Sequence, residues 1–115
     1  MRSILIVDDE PGITDAFTRV FRNDYHVTSS NDGGEAIELI REARPELIVL
    51  DWRLKGEVEG KDILIYAKKE FPQIPVYVVT ASVQSVKEIK SLGADECLLK
   101  PCADLKEKIN AVLPP

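Results

Sequence analysis

A chain of 115 residues with 44% hydrophobic and 30% charged residues suits one compact domain able to bury a core without staples, with the balance of an ordinary soluble globular protein. A net charge of −5 argues against a surface built for nucleic-acid phosphates. Without a charged-apolar-small leader or an apolar run of about 18 residues, neither secretion nor membrane spanning is expected, and the cytoplasm is the expected location.

In chain order, β-rich runs alternate with helical patterns five times. Ser3–Val7 is an apolar run, and Ile13, Ala16, Phe17, Val20 and Phe21 then recur at helical spacing. Pro11 suits the first turn of that helix, where its missing N–H costs nothing. Tyr25–Ser29 reads as a second strand. Asn31, Asp32, Gly33 and Gly34 read as a break before a helix with Ala36, Leu39, Ile40 and Ala43 on one face. That helix ends at Pro45, and Leu47–Leu50 is a continuous apolar strand.

A loop with Gly56 and Gly60 leads to a third helix carried by Ile63, Leu64, Ala67 and Phe71, with Lys68, Lys69 and Glu70 as a solvated face. Val76–Val79 is the fourth strand. Val86, Ile89 and Leu92 give the fourth helix only a narrow apolar stripe, and Gly93 stops it. Glu96–Leu99 is the fifth strand, and Leu105, Ile109, Val112 and Leu113 form the buried face of a closing helix. Cys97 and Cys102 match no metal or redox spacing and read as small core residues.

Alternating strands and helices imply an α/β fold, a parallel sheet covered on both faces and wound with right-handed crossovers. In such a sheet, ligands gather beyond the carboxyl ends of the strands, near the point where the winding reverses. The first strand there runs into Asp8, Asp9 and Glu10, the third into Asp51, the fourth into Thr80, and the fifth into Lys100 and Pro101. Three clustered carboxylates repel one another unless a cation or proton compensates them. A hard, oxygen-seeking ion such as Mg²⁺ answers that need, and a carboxylate can accept a phosphoryl group as an acyl phosphate. Alone, Asp8 and Asp9 would be as well explained by the dipole of the helix that follows. His26 lies away from these strand ends and reads as a surface residue, and Trp52 as a partly buried aromatic beside them.

With I-L-I-V-D-D-E at 4–10, V-L-D-W at 49–52, V-V-T-A at 78–81, G-A-D at 93–95 and K-P at 100–101, the chain resembles the receiver domains of two-component response regulators over nearly its whole length. The resemblance implies one receiver domain over residues 1–115, doubly wound and flavodoxin-like, (βα)5, with strand order 2-1-3-4-5, an order the receiver family itself exemplifies. It implies Asp51 as phosphoacceptor, Thr80 and Lys100 as its phosphoryl-contacting partners, and Mg²⁺ held by Asp8, Asp9, Asp51 and the carbonyl of Arg53. A cis Lys100–Pro101 bond belongs to the same pattern. The implied partners are a sensor histidine kinase or phosphotransfer protein and a downstream effector, with no direct nucleic acid and no membrane; a weak homodimer is left open. Such a domain assists its own phosphorylation and dephosphorylation but is not an enzyme acting on external substrates.

The chain departs from the family pattern in three places. Lys55 stands where a proline is usual, in a loop one residue longer before Gly60 than is common. Cys97 replaces the aromatic that changes rotamer on phosphorylation, and Cys102 takes a place often held by Phe. Competing functions fit less well. A phosphatase resembling the haloacid dehalogenases wants Asp-x-Asp and a cap segment, and here the pair is adjacent. A flavin or nucleotide binder wants a Gly- or hydroxyl-rich phosphate loop, against the acidic run at 8–10. A phosphorylation-independent interaction module would have no need of the acidic, Thr and Lys positions, all of which are kept.

Overall fold

The computed structural model describes residues 1–115. The strands are β1 (Ser3–Val7), β2 (His26–Ser30), β3 (Leu47–Asp51), β4 (Val76–Thr80) and β5 (Glu96–Leu99). The helices are α1 (Pro11–Phe21), α2 (Gly33–Ala43), α3 (Gly60–Glu70), α4 (Val86–Ser91) and α5 (Leu105–Val112). All strands pair in parallel, in the order β2-β1-β3-β4-β5. The apolar runs in β1, β3 and β4 are explained by this order, since the three central strands are buried on both faces.

Successive strand residues point to opposite faces, so the sheet divides the core in two. Leu5, Val7, Ile48, Leu50, Val76 and Val78 pack on one side against Ala36, Ile40, Ile63, Leu64 and Ile89 of α2, α3 and α4. Ile4, Ile6, Leu47, Val49, Tyr77 and Val79 pack on the other against Phe21, Leu105 and Ile109 of α1 and α5. The chain leaves β1 toward β2 on one side and returns to β3 on the other. The winding therefore reverses between β1 and β3, and Asp8 and Asp51 stand at the carboxyl ends of those two strands.

Several local expectations change. Tyr25 precedes β2: its N–H donates to Phe21 O, extending the last turn of α1, and its buried ring carries a hydroxyl that donates to Asn110 Oδ1 at 2.6 Å. Gly33 and Gly34 lie inside α2, whose N-cap is Asp32, with Oδ2 accepting from the Glu35 N–H at 2.9 Å. At Gly33, a Cβ would stand 2.3 Å from the Val58 carbonyl oxygen, so the absence of a side chain lets the β3–α3 loop pack there. A short 3₁₀ turn, Val83–Ser85, precedes the six-residue α4, and Gly93 (φ 99°) follows its end in the left-handed conformation. Val20 and Val112 are exposed, one helical step outside the stripes their helices bury. Lys68 belongs to no solvated face: it is half-buried and pairs with Asp95 Oδ2 at 2.7 Å. His26 is exposed, and both cysteines are free and half-buried at the margins of the core.

Candidate functional site

The carboxyl ends of β1, β3, β4 and β5 bring together most of the residues singled out from the sequence. Asp8 and Asp51 are buried and Asp9 half-buried, and one carboxylate oxygen from each lies within 4.8 Å of the other two. Lys100 reaches in from the end of β5 and places Nζ 3.0 Å from Asp51 Oδ1. Its peptide bond to Pro101 is cis. Thr80 is buried at the end of β4, and its Oγ1 accepts a hydrogen bond from the Ser82 N–H at 3.0 Å. A hydroxyl that accepts in this way keeps its own proton free to donate. Ala81, next to it, is exposed and small. Arg53 is exposed on the turn after β3 and enters no ion pair or side-chain hydrogen bond of the molecule, while Trp52 is half-buried against the core.

The electrostatics of the cluster are strained toward a cation. Asp8 Oδ1 accepts from the Glu10 N–H at 2.9 Å, but Asp8 Oδ2 is buried with no hydrogen-bond partner. Burial, followed by the charges of Asp51 and Asp9, raises the Asp8 carboxyl from 3.8 to about 6, against the lowering pull of the Glu10 N–H and Lys100. Burial alone would lower the Lys100 ammonium. Its hydrogen bond to Asp51 and the charges of Asp51, Asp8 and Glu10 outweigh that and raise it. A buried, unpartnered carboxylate oxygen beside two further carboxylates is a donor set of the kind Mg²⁺ takes, so the residues fit the ion.

Two features of the site were missed in the sequence. The Asn31 amide donates to the Asp8 carbonyl at 2.8 Å and to Thr14 Oγ1 at 3.1 Å, across the β1–α1 loop. At Gly60, a Cβ would lie 2.7 Å from the Asp51 and Trp52 carbonyl oxygens, so α3 can start directly against the chain leaving β3. Both reside in stretches that read locally as breaks. For Gly60 the signal was the glycine at a loop–helix junction; for Asn31 there was none.

Residues 4–112 match the model of the response regulator receiver domain. The chain is a response regulator receiver domain. Members of that family are phosphorylated on an aspartate and bind Mg²⁺. The receiver domain is 33% identical over 102 residues to the probable transcriptional regulatory protein TcrX of Mycobacterium tuberculosis, covering 86% of this chain but 43% of TcrX. It therefore spans less than half the length of the curated relatives it matches. Among solved structures, a CheY-like receiver domain protein from Methanospirillum hungatei superposes with a TM-score of 0.89 at 30% identity, over 97% of this chain and 93% of that one. The response regulator TrrA of Thermotoga maritima, solved in complex with Mg²⁺ and BeF, superposes with a TM-score of 0.88 at 27% identity, over 98% and 100% of the two chains. No helix of the receiver domain is long and apolar enough to cross a membrane.

Proposed function

We propose that Asp51 is the phosphoacceptor of this receiver domain, with Lys100 and Thr80 as its phosphoryl-binding partners. The observation that carries the reading is the Asp51 carboxylate: buried at the winding reversal, held on one oxygen by Lys100, and within 4.8 Å of oxygens from Asp8 and Asp9. With Lys100 on Oδ1, Oδ2 is the oxygen left to attack phosphorus. The new O–P bond forms as the bond from phosphorus to the donor breaks, and the donor's imidazole or acyl oxygen leaves with the electron pair. Lys100 then offers its charge to a phosphoryl oxygen, and the Thr80 hydroxyl donates its proton to another. Hydrolysis reverses the modification: water attacks the same phosphorus, releasing inorganic phosphate and the Asp51 carboxylate.

Asp8, Asp9, Asp51 and the Arg53 carbonyl would hold Mg²⁺, with Asp8 acting mostly through water. When bound, the ion supplies positive charge against the carboxylates and the incoming phosphoryl oxygens. Residues 1–115 act as one receiver domain in the cytoplasm, taking the phosphoryl group from a sensor histidine kinase or phosphotransfer protein and presenting a changed surface to an effector. Its own acidic surface, with a net charge of −5, makes no direct contact with nucleic acid. The domain assists its own phosphorylation and dephosphorylation and turns over no external substrate.

Treatment with acetyl phosphate and Mg²⁺, followed by intact-mass measurement, tests the acceptor. Wild type should gain a single phosphoryl group that is lost slowly, and Asp51→Asn should gain none while keeping its fold. Undiminished labelling of Asp51→Asn would place the acceptor elsewhere.

A further inference from the structure

We infer that Asn31 is a positioning residue for the carboxylate cluster, holding the β1–α1 loop in the shape that presents Asp8 and Asp9 together. The inference rests on the reading of that cluster as a Mg²⁺ site. Asp8 and Thr14 bracket the loop: Asp8 directly follows β1, and Thr14 is buried in the first turn of α1. The Asn31 Nδ2 donates to the Asp8 carbonyl at 2.8 Å and to Thr14 Oγ1 at 3.1 Å, so one amide group joins both ends.

The direction of these bonds follows from chemistry. Turning the amide over would set Oδ1 against the Asp8 carbonyl oxygen, two acceptors with no proton between them. Thr14 Oγ1 gives its own proton to the Pro11 carbonyl at 3.1 Å, so it faces Asn31 as an acceptor. Asp8 lies one residue past the end of β1, where its N–H still donates to Ser30 O at 3.1 Å while its carbonyl has left the sheet ladder. The Asn31 amide replaces the ladder partner that this carbonyl has lost.

The same peptide carries the Asp8 carboxylate, whose Oδ1 bends back to the Glu10 N–H. Three carboxylates whose oxygens lie within 4.8 Å push one another apart when no ion is present. A loop free to relax would separate them, and binding the ion would then have to reassemble the cluster. The tether holds that geometry beforehand. Removing a group that orients metal ligands without touching the metal typically costs about tenfold or more in metal affinity.

Asn31 is exposed, so Asn31→Ala should fold. In the metal-free variant, the Glu10 amide should exchange with solvent faster than in wild type. Titration with Mg²⁺, followed by the fluorescence of Trp52 next to Asp51, should show about tenfold weaker binding. Labelling by acetyl phosphate should need correspondingly more Mg²⁺ for half-maximal rate, yet reach the wild-type rate at saturating Mg²⁺. A general loosening of the fold would lower the saturated rate as well and would overturn the inference. So would unchanged exchange at Glu10, or a Mg²⁺ affinity within twofold of wild type. A wild-type protein that ignores Mg²⁺ in both fluorescence and labelling would instead defeat the reading of the cluster on which the inference stands.

Discussion

Lys100 Nζ stands 3.0 Å from Asp51 Oδ1, joining the end of an edge strand to the end of a central one across β4. Asp51 is nearly inaccessible and Lys100 partly open to solvent, so the pair is neither a surface ion pair nor a fully buried one. Lys100→Met should therefore cost stability beyond its lost packing, because it leaves a buried carboxylate beside Asp8 and Asp9 without its cation. Solvent access at the lysine limits the loss to about 1–2 kcal/mol in the metal-free protein. In urea unfolding, the penalty should shrink when Asp51→Asn is already present, since no charge then needs compensating. Strictly additive penalties in the double variant would show that the two side chains do not support each other.

Asp8 should make the metal-free protein less stable as pH rises. Its folded-state value, about 6, lies above the ordinary 3.8, so between these values the folded protein holds a proton that the unfolded chain has lost. Stability contributed by the neutral carboxyl is complete below about pH 4 and is lost through about pH 6. A shift of this size corresponds to roughly 2–3 kcal/mol. Asp8→Asn keeps an acceptor for the Glu10 N–H and removes the charge. It should be more stable than wild type by about 2 kcal/mol at about pH 8, and much closer to it at about pH 4. Mg²⁺ should close the gap from the wild-type side. Equal stability of the two metal-free proteins at the higher pH would mean that the cluster carries no uncompensated charge.

Central strands and the clustered carboxylates at their ends were readable from sequence for the same reason. A strand buried on both faces must be apolar throughout, so Ile4–Val7 and Leu47–Leu50 stand out, and the first polar residue after each marks the sheet's edge. Strand order is different, because alternation of strands and helices does not encode it; it came with the family resemblance. What stayed hidden depends on partners distant in sequence. Lys68 follows the periodicity of a solvated face, and its partner Asp95 is 27 residues away. Asn31 looks like one more breaker beside two glycines, and the carbonyl it holds lies 23 residues earlier. Tyr25 has the β-propensity of its ring, but its N–H is taken by the last turn of α1.

The Lys68–Asp95 pair gives the G-A-D segment a structural role separate from the carboxylate cluster. Asp95 Oδ2 accepts from Lys68 Nζ at 2.7 Å and from the Val76 N–H at 2.8 Å, joining α3, the start of β4 and the turn before β5. Asp95→Ala should lower stability by about 1 kcal/mol, the exposure of the carboxylate keeping the effect modest. Mg²⁺ affinity and the rate of labelling should not change. A variant as stable as wild type in urea unfolding would leave the pair without that role.

Arg53 offers a test of its side chain, separate from its carbonyl. The guanidinium extends from the turn two residues after Asp51 and has no partner in the molecule. On the reading of Asp51 as phosphoacceptor, a long cation two residues further on would either lie over the phosphoryl group or swing to the carboxylates of the following loop. Either placement would change the access of water. Arg53→Ala should change stability by less than about 0.5 kcal/mol, as for most exposed substitutions. Phosphorylated Asp51 should hydrolyse severalfold faster in the variant, read as loss of the phosphoryl mass with time. An unchanged lifetime would remove the side chain from the reaction.

With Asp51 proposed as the phosphoacceptor, Cys97 bears on how phosphorylation there would change the surface. The family resemblance implies that the hydroxyl residue at the Thr80 position moves toward the phosphoryl group and that an aromatic on the fifth strand follows into the space vacated. Here that position holds a half-buried cysteine beside Val78, packed against the core that includes Ile89 of α4. A thiol has one short lever and little area, so its rotation changes the surface far less than a ring would. The structure offers another carrier. Thr80 Oγ1 is bonded to the Ser82 N–H, and Ser82 is joined in turn to Ser85 at the start of α4. That helix has six residues, buries only Ile89, and is tied to α3 by the exposed Lys61–Glu88 pair at 3.2 Å. Weakly anchored elements shift at low cost, so movement of Thr80 should pass through Ser82 into α4. Backbone NMR with Mg²⁺ and beryllofluoride should show large shift changes from Ala81 to Leu92 in wild type, and changes of similar extent in Cys97→Tyr. If the α4 changes appeared only in Cys97→Tyr, the aromatic would be required, and the route through Ser82 would not carry the signal.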